Sequence, residues 1–314
     1  MARKRNRSNS NKNKNRTKTL KYQMETAIIK NFNQGTQKRA AKMSANGTGA
    51  TVFSESHKKN LLGFVGMFSS FCKETYGIKN VNEIKAEHAK AFMDHKSKTC
   101  ADSTLKTYHQ HLGKLNKCFN KVFKSYEGNM TKGWIIPPGN NNTKQRDVKI
   151  SRDSMDNILG KMNMKFGTHR AIVVAESLGL RVSEAVKVKG SHIDLERNVV
   201  GVVGKGGRYR EVPIRKDRRE TLSQLKEQYG DSKIADVKPN SVNATFKRAC
   251  EREGITDLKD TKSGIHAVRK LWATELYEEK LNDGVSEKEA WGDTSEALGH
   301  GRERQDLFKT YIVK

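Results

Sequence analysis

The sequence predicts a mainly helical α+β chain with one small β-hairpin, split into an all-helical N-terminal part and a mixed C-terminal part. Three observations carry this. Between residues 54 and 124 apolar residues recur at steps of three and four, the spacing of helices with one buried face. The run PPGNNNTKQRDVK, Pro137 to Lys149, has no apolar periodicity and concentrates proline, glycine and asparagine, which is linker composition. Beyond it, a β-branched stretch from Asn198 to Ile214 alternates around the turn GKGG, with helical segments on both sides.

The elements follow in order. Residues 1–45 carry 13 Lys plus Arg against a single acid, Glu25, and the first eighteen residues have almost nothing apolar, so this segment is expected to be a disordered basic arm. Residues 46–136 form a helical domain. Its first helix runs over 54–76 with Leu61, Val65, Phe68 and Cys72 inward, and Gly77 is placed to end it. A second spans 82–96 and buries Ile84, Ala89, Phe92 and Met93. A third, capped by Asp102 or Ser103, buries Leu105, Tyr108, Leu112, Leu115, Phe119 and Val122 and turns Lys106, Lys114, Lys117, Lys121 and Lys124 outward. With no acid between Asp102 and Glu127, that lysine face is expected to meet DNA phosphates rather than plain solvent.

After the linker, 137–149, residues 150–314 form the second domain. Helices are expected over 153–162 and 168–178. Gly179 breaks the second of these, and Arg181 opens a short helix, RVSEAVKV. The hairpin follows, then helices over 217–229, 241–253, 264–280 and 286–298, the last with a Ser286-x-x-Glu289 capping box.

The chain of 314 residues has 61 Lys plus Arg against 35 Asp plus Glu, a formal net charge of +26. A surplus of that size calls for a polyanionic partner, and nucleic acid is the commonest. No apolar run approaches the ~18 residues of a membrane span, and the basic N-terminus lacks the apolar stretch of a secretory signal. Cys72, Cys100, Cys118 and Cys250 are scattered, as reduced thiols of a cytoplasmic protein would be. The spacing of His88, His95, His109 and His111 fits no common zinc framework, so no metal and no cofactor is expected.

Within residues 150–314, polar residues fall in an order suited to metal-free phosphoryl transfer on DNA. They are Arg181 in GLRVSEAV, Lys205 in VGKGGRYREVPI, His266 and Arg269 in GIHAVRK, His300 in ALGHGR, and Tyr311 near the C-terminus. Without an acidic cluster to hold magnesium, fixed cations must meet the charge that grows on a phosphodiester in its transition state. Two arginines suit that task because each offers phosphate a planar fork of donors. A histidine can exchange protons near neutrality, and a phenol flanked by arginines can ionise to attack phosphorus.

These motifs resemble those of the tyrosine recombinases, the phage-integrase type of site-specific recombinase. The likeness lies in Gly179-Leu180-Arg181-Val182-Ser183-Glu184, the hairpin lysine Lys205, His266-Ala267-Val268-Arg269, Leu298-Gly299-His300 and Tyr311, with a weaker helical match of 50–135 to the family's core-binding domain. Lys270 stands where many members have histidine, and the step from His300 to Tyr311 is slightly long for the family.

The resemblance implies a core-binding domain followed by a catalytic domain. It also implies cleavage and rejoining of double-stranded DNA through a 3′-phosphotyrosyl intermediate, without metal or ATP, by a homo-tetramer on recombination sites. Tyr311 would be the nucleophile and Arg181 and Arg269 the phosphate clamp, with His300 adding a hydrogen bond. His266 would act in acid–base chemistry, Lys205 would protonate the leaving 5′ oxygen, and Glu184 would orient Arg181. Integration or excision of a mobile element is the expected setting, with accessory DNA-bending or directionality factors and no membrane. Relaxation of one strand by a type IB topoisomerase, or architectural DNA binding without catalysis, are the alternatives. Covalent capture on a suicide substrate separates an enzyme from the architectural reading.

Overall fold

The computed structural model describes residues 18–35, 38–44, 47–140, 148–204, 207–258 and 264–313. It divides into two compact units, Met1–Thr143 and Lys144–Lys314, each with its own core.

The first unit is helical: α1 (Leu20–Lys30), α2 (Lys38–Met43), α3 (Glu55–Tyr76), α4 (Ala86–Ser97) and α5 (Asp102–Val122). Ser54 caps α3, its hydroxyl accepting from the His57 amide, and Gly77 closes it at φ +68°, a left-handed conformation that glycine adopts without strain. Leu61, Phe64, Val65, Phe68 and Cys72 are buried, and Phe92 of α4 meets Phe64 and Phe68 edge-on at ring distances of 5.6 and 5.2 Å.

Four expectations change here. The basic arm does not extend to residue 45. Leu20, Met24, Ala27 and Ile28 fall at helical spacing and bury fully in the first core, so α1 is a core element, and the rest of the expected arm, 1–17, lies outside the described residues. Met24→Ala should therefore destabilise this unit by about 2–4 kcal/mol, measured by denaturant unfolding; an unchanged midpoint would detach α1 from the core. The expected helix over 82–96 is two pieces, because Asn80 and Glu83 close a capping box around a 3₁₀ turn, Val81–Glu83, and leave Ile84 extended before α4. Ala101, not Asp102 or Ser103, is the cap residue of α5. Asp102 instead accepts from the Gly139 amide at 2.6 Å, and the Asn140 amide bonds Ser97 and Cys100, so the start of the expected linker is tied to the first unit. Its residues 141–147 lie outside the described residues.

The second unit holds α6 (Arg152–Gly160), α7 (Gly167–Leu178), α8 (Val182–Ala185), strands β1 (Ile193–Asp194), β2 (Val199–Val203) and β3 (Tyr209–Pro213), then α9 (Arg219–Tyr229), α10 (Pro239–Arg252), α11 (His266–Asn282), α12 (Glu287–Ala297) and α13 (Phe308–Tyr311). The sheet is antiparallel in the order β1-β2-β3, with Val200 opposite Val212 and Val203 opposite Tyr209. β1 and α13 are too short to show a period in the sequence, and α8 is half the length expected for it.

Helix α11 is the axis of this unit. Ten of the eleven residues from Ala267 to Tyr277, all but Glu275, are buried, and the helix packs against α7, α12 and α13. Gly179 lets α7 stop there: at φ +58° it turns the chain, and a Cβ on it would sit 2.2 Å from the Trp272 ring. No helix among the described residues is long and apolar enough to cross a membrane.

Candidate active site

Four segments of the second unit place the expected residues. Arg181 precedes α8, Arg269 and His266 lie on the first turn of α11, His300 follows α12, and Tyr311 ends α13. Together they enclose one small polar cluster.

Its anchor is Glu184, only 3 % exposed. Its Oε2 accepts the Arg181 amide at 3.0 Å and its Oε1 the Arg181 guanidinium at 3.0 Å. Arg210 of β3 forks onto both oxygens at 3.2 and 2.9 Å, and Arg269 stands 3.9 Å away. Burial alone would raise this carboxyl, but the hydrogen bonds and charge of Arg210, then the Arg181 amide and the charge of Arg269, hold it at about 2.

Arg269 is 1 % exposed. It donates to the carbonyls of Gly179 and Leu298, its guanidinium lies 5.6 Å from the centre of the Tyr311 ring, and its buried Nε has no well-aligned acceptor among the described residues. Burial and the Arg181 charge lower its pKa to about 10, against the pull of Tyr311 and Glu184, so it stays a cation at neutral pH. Three guanidiniums thus converge on a single carboxylate, and the surplus positive charge suits an incoming anion.

The Tyr311 hydroxyl lies 3.0 Å from His300 Nε2, and Arg181 Nη2 lies 3.3 Å from the same nitrogen. A guanidinium can only donate, so Nε2 is the acceptor, the ring proton sits on Nδ1, and the phenol is the second donor. Burial, then Arg269 and Arg181, push His300 down to about 4, which keeps this ring neutral and its Nε2 lone pair free to accept from the phenol. His266 is also lowered to about 4, by burial and then by Arg269, Lys270 and Arg181. It packs edge-on to Tyr311 at 5.7 Å between ring centres. The histidine bonded to the phenol oxygen is therefore His300, although the motif alone singles out His266 for acid–base work.

Lys205 lies outside the described residues; just before it, the Gly204 amide donates to the Arg208 carbonyl at 2.7 Å. Of the lysines on α5, Lys106, Lys117 and Lys121 are exposed, as is Lys124 just beyond the helix. Lys114 departs from that face. Its ammonium donates to the carbonyls of Gly49 and Thr51 at 2.9 and 3.2 Å and is half-buried, so it fastens a loop and is not open to phosphate. Arg210 went unnoticed in the sequence, where it is one arginine among many on a strand.

The phage integrase family model matches residues 149–291. Residues 149–291 therefore carry a phage integrase domain, the domain of the tyrosine recombinases. The matched stretch lies within the second unit, and the activity this domain supports is site-specific DNA recombination. The family match ends before His300 and Tyr311, which the fold brings to the matched residues. Among solved structures, a lambda integrase dimer bound to a COC′ core site is similar at TM-score 0.60 and 17 % identity, covering 83 % of this chain and 72 % of that one. XerH recombinase bound to its difH substrate is similar at TM-score 0.58 and 16 % identity, covering 96 % and 94 %. The Tn1549 transposon integrase with transposon right-end DNA is similar at TM-score 0.58 and 14 % identity, covering 92 % and 94 %. At such identities these are likenesses of fold. No curated protein matches the chain.

Proposed function

We propose that this recombinase serves integration or excision of a mobile element, with Tyr311 as its nucleophile. The observation that carries the assignment is the Tyr311 hydroxyl bonded to His300 beside Arg181 and Arg269. As the Tyr311 oxygen bonds to phosphorus, its proton passes to His300 Nε2 and the bond to the 5′ oxygen breaks. Arg181 and Arg269 meet the charge on the non-bridging oxygens. The leaving oxygen takes a proton from Lys205, a role implied by its place in the hairpin sequence. His266 packs the nucleophile's ring and lends it a neutral, dry wall. The phosphodiester energy is kept in a 3′-phosphotyrosyl link, so rejoining needs no ATP.

Double-stranded DNA is the partner, and Lys106, Lys117, Lys121 and Lys124 are its phosphate contacts on the first unit. Assembly on DNA as a tetramer follows from the need to join two duplexes. It is supported by fold likeness to a lambda integrase tetramer bound to a Holliday junction, at TM-score 0.58. The site of action is the cytoplasm of a prokaryotic host.

Nicked suicide duplexes drawn from DNA flanking the gene should trap a protease-sensitive covalent complex with a free 5′ hydroxyl, equally in EDTA. A 5′-linked adduct, or cleavage that requires magnesium, would replace this chemistry with another.

A further inference from the structure

Arg210 is the second residue of β3, opposite Val202. Its side chain is 9 % exposed and bonds two separate segments. Nε donates to the Ala297 carbonyl at 2.7 Å, at the end of α12. The two terminal nitrogens fork onto Glu184 of α8. The backbone closes in around it: a Cβ on Gly204 would lie 3.0 Å from its Nη1, and one on Gly299 would lie 3.2 Å from the same atom. A side chain at either position would crowd this guanidinium, and Gly299 also holds a left-handed φ of +77°.

The fork changes what Arg181 can do. An arginine beside a lone carboxylate prefers two parallel bonds to it. Here Arg210 already takes both oxygens of Glu184, and the Arg181 amide takes part of Oε2. Arg181 is left with one nitrogen on Oε1, and its Nη2 turns to His300. The Ala297 bond acts on the same point from the other side. It pins the loop whose next carbonyl, Leu298, receives Arg269 and Arg181 and which then presents His300.

We propose that Arg210 is a positioning residue of the cleavage reaction: it occupies Glu184 so that Arg181 faces the nucleophile, and it fixes the loop that carries His300. The inference rests on reading Arg181 as a cation for the scissile phosphate.

Full-length Arg210→Gln and Arg210→Lys are compared with wild type in single-turnover cleavage of a suicide duplex. The duplex carries either the ordinary scissile phosphate or a methylphosphonate, which has no non-bridging charge for Arg181 to meet. DNA affinity should stay within about threefold, since many phosphate contacts remain. Cleavage of the phosphate should fall by at least ~30-fold for Arg210→Gln and by less for Arg210→Lys, whose ammonium cannot form the fork. On the methylphosphonate the deficit relative to wild type should shrink at least ~fivefold, as it should for Arg181→Ala, because the misplaced charge no longer matters. A deficit of the same size on both linkages would make Arg210 a residue of the fold alone and overturn the proposal, as would wild-type cleavage by Arg210→Gln. Loss of the fork leaves a buried carboxylate short of a partner; should Arg210→Gln fail to melt cooperatively, the same ratio for Arg210→Lys decides. A wild type that forms no adduct on either duplex would instead remove the role given to Tyr311.

Discussion

Tyr311→Phe should abolish covalent capture of DNA while changing affinity by less than about threefold. The substitution removes one oxygen and keeps the ring, which is 5 % exposed and packs against His266 and His300. Packing is thus retained, and the loss falls on the bond between the hydroxyl and His300. Binding rests on many phosphate contacts that the change does not touch. Tyr277 is the nearest tyrosine to Arg269 in sequence, but it is buried against Phe308 with its ring centre 5.4 Å away, and burial raises its pKa, so it is a poor substitute nucleophile. The measurement is a denaturing gel of suicide-substrate complexes beside a native gel of the same samples. An undiminished adduct from the variant would move the nucleophile elsewhere.

Much of this fold is legible because burial is periodic. The stripe Leu61, Val65, Phe68, Cys72 lies on α3 as its spacing requires, and Ser54 and Gly77 bound that helix for local reasons. The hairpin is legible for the same kind of reason, since β-branched residues flank a glycine turn. Helix α1 was obscured by charge. Leu20, Met24, Ala27 and Ile28 have helical spacing, but they stand in a segment whose net charge of +12 reads as an arm. Whether such a short stripe folds depends on what it can be packed against, here α3 and α5, and sequence spacing does not carry that.

The site divides along the same line. Arg181 and Glu184 are three residues apart, so their pairing is local and visible. The fork from Arg210 to Glu184 spans 26 residues and depends on tertiary placement of β3, whose register against β2 sets where Arg210 stands. Lys114 shares a helix face with Lys117, yet only the tertiary approach of residues 49–51 turns it into a structural donor. The choice of His300 over His266 as partner of the phenol likewise depends on where α13 returns to α11, and a helix of four residues leaves no pattern to read.

Arg181→Ala and Arg269→Ala should each leave DNA binding within about tenfold and lower cleavage by at least ~100-fold, because each arginine is matched to charge that appears only in the transition state. The two should differ in stability. Arg269 is buried against the carbonyls of Gly179 and Leu298, so its loss takes the side-chain donor from the first, leaves the second only the longer bond from Arg181, and should lower the melting temperature of the second unit. Arg181 is about a third exposed and shares Glu184 with Arg210, so its loss should be felt in cleavage with little change in melting. Lysine should restore either only in part, since an ammonium lacks the planar fork. Lys205→Ala should behave differently again. If that lysine protonates the leaving oxygen, a 5′-bridging phosphorothiolate, whose sulfur leaves without a proton, should restore much of its cleavage but little of the arginine variants'. Equal rescue of all three, or none for Lys205→Ala, would take the leaving-group proton away from Lys205 and require another donor on the hairpin.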